Sequence, residues 1–244
     1  LDGTLKATVN DYPFAYDLNT ADLADGYHEL VVKFDDHHGY TAEKQYQFRT
    51  TAGAGACIAF KDVKANRWSA DNIYDLVLKG IISGMDNSDG SVSFQPTANI
   101  TREQFAKILA FTSGEDLTPY AGKTSFGDVS AKRWSAPSIE WAYQKGIVYG
   151  KGSGYDPEAP ITREELATMI YRYVTVYKKA TLVAKNNPIV FTDQGNIQNW
   201  AADAVAAMQG VGIINGYPDG SFKPGNTASR EEAAKIINQY LKLQ

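Results

Sequence analysis

Three stretches of the chain carry apolar residues at helical spacing behind the same short polar phrase. Phe105, Ile108 and Leu109 follow Thr101-Arg102-Glu103-Gln104; Leu166, Met169 and Ile170 follow Thr162-Arg163-Glu164-Glu165; Ala233, Ile236 and Ile237 follow Ser229-Arg230-Glu231-Glu232. Offsets of three and four put these side chains on one face, so each stretch predicts a helix with one buried side. The leading Ser or Thr, with Gln or Glu three residues later, has the spacing of a capping box, and the helices begin there. Three further helices are expected around Ile73, Ile139 and Val205, each just after a tryptophan. These end in Gly80-Ile81-Ile82-Ser83-Gly84, Gly146-Ile147-Val148-Tyr149-Gly150 and Gly212-Ile213-Ile214-Asn215-Gly216, where the first glycine suits a left-handed helix end. The first fifty residues alternate instead. Thr4 to Val9, His28 to Phe34 and Tyr40 to Phe48 read as strands, the last two joined by a turn over Asp35-Asp36-His37-His38-Gly39.

Behind the helices lies a repeat of about 66 residues, which points to several small units instead of one large core. Each copy opens with Phe60-Lys61-Asp62-Val63, Phe126-Gly127-Asp128-Val129 or Phe191-Thr192-Asp193-Gln194, then brings Trp68, Trp134 or Trp200 ahead of its first helix. Each continues to Phe94-Gln95-Pro96, Tyr155-Asp156-Pro157 or Phe222-Lys223-Pro224, and from that proline it is always five residues to the capping Thr or Ser. The loop before the aromatic residue varies in length, so that half is expected to face solvent or ligand. In it, Tyr217-Pro218-Asp219-Gly220 and Asp86-Asn87-Ser88-Asp89-Gly90 read as turns; the second lacks the ligand spacing of a calcium loop. Thr51-Ala52-Gly53-Ala54-Gly55-Ala56 is a small-residue linker. The expected organisation is 1–52 β-rich, then repeat units at 53–118, 119–182 and 183–244.

Composition removes several function classes. A net charge of -4 argues against binding nucleic acid through its phosphates. No apolar run reaches the roughly 18 residues of a bilayer-spanning helix, so membrane insertion is not expected. The one cysteine, Cys57, has no internal partner; its apolar neighbours suggest a buried thiol, and no metal-ligand spacing surrounds it. His37 and His38 read as solvated turn residues, and no cofactor or metal is expected. The chain begins at Leu1 without an initiator Met or signal peptide, and so reads as a mature piece or the C-terminal part of something longer.

Candidate chemistry centres on Arg102, Arg163 and Arg230. Each stands at the first helical position, where the macrodipole disfavours a cation by about 0.3–1 kcal/mol. Two readings stay open: an anion held jointly by the helix N-terminus and the guanidinium, or an acid on a neighbouring element. The ordered set of Phe-X-Asp-Val, Trp before a helix, Gly-Ile-X-X-Gly, aromatic-X-Pro and Thr-Arg-Glu resembles the surface-layer homology (SLH) module in three tandem copies, covering about residues 57 to 244. The phrase from Leu23 to Leu30, with a later aromatic strand, resembles the end of a bacterial immunoglobulin-like domain.

The resemblance implies a mainly α fold, three helical repeats in a pseudo-threefold arrangement preceded by a small all-β immunoglobulin-like segment. It also implies a secreted protein held at the cell wall or S-layer, bound to a secondary cell-wall polysaccharide through a pyruvate ketal on N-acetylmannosamine. Peptidoglycan is a second candidate partner. Arg102, Arg163 and Arg230 are the residues the family pattern carries over most directly. Trp68, Trp134 and Trp200 either wall the sugar or fill each unit's core. Asp62, Asp128 and Asp193 either accept sugar hydroxyls or cap local backbone. Gly84, Gly150 and Gly216 permit close backbone approach to the sugar. The copies differ: the third has Ser229 for Thr, Gln194 for Val and Asn199 where the others have Arg67 and Arg133. One or two grooves are therefore expected to dominate. The function is non-enzymatic anchoring, with a carbohydrate-active enzyme fragment or a protein-interaction scaffold as alternatives.

Overall fold

The computed structural model describes residues 1–9, 18–35, 41–50, 59–152 and 154–243, and they fall into two compact units. The first unit comprises 1–79 and 83–96, the second 80–82 and 97–244. The expectations for the 36–39 turn, the 51–56 linker and Cys57 lie outside the described residues.

In the first unit, β1 (Gly26–Asp35) pairs antiparallel with β2 (Thr41–Thr50) along their whole length, from Gly26 opposite Thr50 to Asp35 opposite Thr41. The expected strand at Thr4–Val9 does not form. Among the described residues its alternation has no partner strand, and Leu5 is left 81% exposed, so no backbone pairing repays the order a strand requires. Helix α1 (Ala70–Leu78) meets the hairpin through Arg49 on Asp75, the Tyr27 hydroxyl on Asp71, and an edge-to-face contact of Tyr27 with Tyr74 at 5.6 Å. The short pair β3 (Met85–Asp86) and β4 (Val92–Ser93) brackets the Asn87–Gly90 turn.

The second unit holds α2 (Arg102–Ser113), α3 (Ala136–Gln144), α4 (Arg163–Arg172), α5 (Asn199–Gly210) and α6 (Arg230–Leu241). All three expected capping boxes are present: Thr101, Thr162 and Ser229 accept from the N3 amide, and Gln104, Glu165 and Glu232 return the bond. Gly80, Gly146 and Gly212 all lie at left-handed φ after their helices, as the sequence predicts. Helix α4 continues into a π-helical turn, Tyr173–Tyr177. There Tyr173 and Tyr177 enclose the fully buried Trp141 of α3, and Tyr173 meets Tyr240 of α6 edge-on at 5.4 Å.

The segments ahead of α2, α4 and α6 close a cycle. The Ile100 amide donates to the Ala228 carbonyl, Ala228 to Ile161, and Ile161 back to Ile100, each at 3.0 Å. All three residues are buried. Two residues further on, the first helical amides of Arg102, Arg163 and Arg230 donate to the carbonyls of Ala159, Asn226 and Ala98. The next amides, of Glu103 and Glu164, donate to Pro157 and Pro224. Helix N-termini ordinarily leave their first amides unpaired; here the invariant proline-to-cap spacing delivers a neighbouring segment's carbonyls to them.

Candidate functional site

The cycle settles what surrounds the repeated arginines. At Arg102, Nε donates to the Tyr155 carbonyl at 2.8 Å, Nη1 pairs with Glu165 at 2.9 Å, and the guanidinium lies 4.8 Å from the Tyr155 ring centre. The Tyr155 hydroxyl returns a bond to the Arg102 carbonyl at 2.9 Å. Arg163 repeats the arrangement on Phe222: Nε to its carbonyl at 2.8 Å, Nη2 to the Asn215 carbonyl, and Nη1 to Glu232 at 3.3 Å. Arg102 and Arg163 are 5% and 7% exposed. Of the two readings, the acid on a neighbouring element is present at both, and amides that would hold an anion are already bonded to carbonyls. Arg230 is half-buried at the start of α6.

The repeated aspartates share one geometry. Asp62 accepts the amides of Phe94 and Gln95 at 2.8 and 2.7 Å, Asp128 those of Tyr155 and Asp156, and Asp193 those of Phe222 and Lys223. Gln95, Asp156 and Lys223 each have φ between 54° and 57°, the left-handed region that side chains disfavour. A carboxylate gripping the two successive amides that lead into that kink holds the aromatic-X-Pro corner in place. Burial pushes the Asp128 and Asp193 carboxyls up, but the backbone amides outweigh it and hold both below the usual range.

The glycines have internal reasons as well. A Cβ on Gly150, whose φ is 78°, would stand 2.6 Å from both the Gly154 carbonyl and the Phe126 ring; one on Gly216 would stand 2.8 Å from Phe191. One on Gly84 would collide with Phe60 and Val92. The tryptophans go the other way. Trp68, Trp134 and Trp200 are 55%, 54% and 51% exposed, and the aromatic core is built around Trp141 instead.

One groove of about 360 Å³ opens in the second unit. Its walls are the 147–151 loop, the α4 face from Glu165 to Arg172, Arg102 and the indole of Trp200. Gly150, Arg102 and Trp200 are thus brought together there, while Asp128 stays at the corner behind it. Glu165 sits between two cations: Oε1 pairs with Lys151 at 2.7 Å and Arg102 at 2.9 Å, and Oε2 accepts the Thr162 amide. Burial alone would raise its carboxyl, but these three partners hold it below the ordinary range. Three further lining residues escaped the repeat-based reading: Lys151, Arg172, whose guanidinium lies 4.5 Å from the Tyr149 ring centre, and Tyr149 itself, 58% exposed. The signal available for them was their failure to recur.

Sequence reasoning also missed the work of Glu103. Only 5% exposed, it accepts Arg133 Nε and Nη2 at 2.6 and 2.8 Å and the buried Ser135 hydroxyl at 2.5 Å. Burial pushes this carboxyl up as well, and Arg133 with Ser135 more than reverses it. Among the described residues no group of three His, Cys, Asp or Glu side chains is arranged to hold a metal, and no helix is long and apolar enough to cross a membrane.

Comparison with known proteins places these features in a wider set. The family profile of the S-layer homology domain matches residues 59–106, 125–167 and 190–234. An amylopullulanase of Thermoanaerobacterium thermosulfurigenes is 37% identical over 182 residues, 73% of this chain but 9% of that protein. An S-layer protein of Bacillus anthracis is 31% identical over 184 residues, 75% of this chain and 21% of that protein. A cellulosome-anchoring protein of Acetivibrio thermocellus is 32% identical over 153 residues, covering 61% and 33%. The chain therefore spans a third or less of each of these relatives' own length.

Proposed function

The chain belongs to the S-layer homology domain family, and we propose on that premise that it retains an exported protein at the cell surface by binding a cell-wall polysaccharide. The ligand in this reading is a secondary cell-wall polymer carrying a pyruvate ketal, seated in a groove between modules. The observation that carries it is the groove of about 360 Å³, in which exposed Trp200 and Tyr149 stand beside Arg102, Lys151 and Arg172 with Glu165 as the one acid. Apolar ring faces with a surplus of positive charge suit a sugar bearing a carboxylate.

In this reading Trp68 and Trp134 serve as counterparts of Trp200, and Arg163 and Arg230 as counterparts of Arg102 in further grooves. Gly84, Gly150 and Gly216 with Asp62, Asp128 and Asp193 shape the backbone that faces the sugar. The three modules, 53–118, 119–182 and 183–244, form a pseudo-threefold body, an arrangement supported by the cyclic hydrogen bonds of Ile100, Ile161 and Ala228. The β1–β2 hairpin is the end of an immunoglobulin-like spacer. No catalysis is assigned to the chain: relatives named as polysaccharide-degrading enzymes match it over a small part of their length.

Sedimentation with purified sacculi tests the reading. Binding to native walls, lost on walls stripped of the secondary polymer or deficient in pyruvylation, is the expected result. Binding that persists on stripped walls points to peptidoglycan or a protein partner and overturns the polysaccharide reading.

A further inference from the structure

We propose that the carboxylate of the ligand is held by Arg172, with Lys151 as its second contact, and not by Arg102, the capping-box arginine that lines the same groove. This rests on the polysaccharide reading and names the residues that carry its specificity.

The cations that line the groove are not equally available to a ligand. Arg102 lines the groove, but its Nε is committed to the Tyr155 carbonyl and its Nη1 to Glu165, and its side chain is 6% exposed. Withdrawing it would leave Glu165 buried with one cation fewer and the Tyr155 carbonyl without its donor. A ligand must then offer more than the intramolecular pair it displaces. Arg172 stands differently. It lines the same groove, it forms no ion pair or side-chain hydrogen bond with any described residue, and its guanidinium lies 4.5 Å from the Tyr149 ring centre. The ring contact engages the guanidinium face and leaves its forked donors without a partner among the described residues, and such a fork can receive a carboxylate through two parallel bonds. Partial burial lowers its proton affinity, as expected for a cation lacking a counter-ion. Lys151 pairs with Glu165 but remains 48% exposed at its side chain, so it has donors left for a second contact.

Arg172 is peculiar to one copy. The position nine residues after the capping-box arginine holds Phe111 in the first repeat, Arg172 in the second and Gln239 in the third. Tyr149 corresponds to Ser83 and Asn215, and Lys151 to Met85 and Tyr217. All three differences fall on this groove. If Arg172 supplies the carboxylate contact, one groove discriminates for the acid, and the corresponding positions elsewhere cannot do so in the same way.

Calorimetric titration of the whole chain with the methyl glycoside of pyruvylated N-acetylmannosamine, and with the methyl ester of that ketal, tests this directly. The wild-type protein is expected to bind the acid at least about tenfold more tightly than the ester, the lower end for hydrogen bonds to a charged group. Arg172→Gln is expected to lose most of the preference for the acid, the remainder being the Lys151 contact, and to bind the ester at the wild-type level. Arg172→Lys, which keeps the charge but not the fork, is expected to retain part of the preference, and it serves as the test should Arg172→Gln melt at a lower temperature. An acid-over-ester preference intact in Arg172→Gln overturns the inference and leaves the anchor reading standing. Wild-type protein that binds neither sugar nor the pyruvylated polymer overturns that reading, and the inference with it.

Discussion

Replacing Asp128 by alanine separates the two roles open to the repeated aspartates. The carboxylate receives the Tyr155 amide at 2.8 and 3.0 Å and the Asp156 amide at 2.7 Å. Hydrogen bonds to a charged group contribute roughly 1.5–3 kcal/mol each, but Asp128 is exposed and solvent screens it. Taking less than the lower end for each gives about 2 kcal/mol for the pair. Asp156 adds to the sensitivity, since a left-handed non-glycine residue costs roughly 1–2 kcal/mol and the clasp helps to hold it there. At about 2–4 °C per kcal/mol for a domain of this size, the expected loss is about 4–8 °C in melting temperature. Equilibrium denaturation should show a lower midpoint with unchanged slope. An Asp128→Ala protein with wild-type stability but weakened sugar binding would refute the reasoning, because the carboxylate would then face the ligand and not the corner.

Gly150→Ala should cost at least about 2 kcal/mol by chemical denaturation, since positive φ and a Cβ 2.6 Å from the Gly154 carbonyl oxygen add together. Trp141→Ala should cost about 3–5 kcal/mol as a fully buried aromatic, whereas Trp200→Ala, half exposed, should leave stability within about 1 kcal/mol while reducing wall binding. Stability should fall on acidification below about pH 4. Glu103, Asp128, Glu165 and Asp193 all have native carboxyls held below their ordinary values, so their stabilisation is full above the unfolded values and is lost as pH drops through the native ones. Melting temperature measured from pH 7 down to pH 2.5 checks this; an unchanged value at pH 3 contradicts it. The cyclic bonds of Ile100, Ile161 and Ala228 make residues 97–243 one cooperative transition in calorimetry, and two separated transitions within that segment would show otherwise.

What was legible beforehand was what is local. The capping boxes, the glycine helix ends and the amphipathic faces depend on residues within four positions of one another, and all appear as read. The strand at Thr4–Val9 failed because alternation specifies a face, whereas a strand also needs a neighbour to pair with. The partners of Arg102 and Glu103 were out of reach for a related reason. Tyr155 lies 53 residues from Arg102, and Arg133 lies 30 from Glu103, so each pairing depends on how one copy's helix start meets residues of the next copy. The fourth tryptophan, Trp141, belongs to no repeated motif, and its burial followed only from the aromatic cluster of Tyr173 and Tyr177. The turn histidines, the linker and Cys57 lie outside the described residues.

The division between recurring and solitary residues bears on how such a chain acquires specificity. Of the residues present in every copy, the tryptophans stay exposed, whereas Arg102, Arg163 and the three aspartates are used by the fold itself. They bind carbonyls, carboxylates and amides of the protein itself. An arginine at the first helical turn is unfavourable by at most about 1 kcal/mol. Hydrogen bonds to a charged group contribute more than that, so the pattern is stable without any ligand. Residues present once are under no such demand. Tyr149, Lys151 and Arg172 can be exchanged without breaking the cycle of Ile100, Ile161 and Ala228, because none of their side chains takes part in it. Affinity for a particular acidic sugar is therefore best sought where the copies disagree, and exchanging Arg172 for Gln should alter which polymer is held while leaving the body that holds it intact.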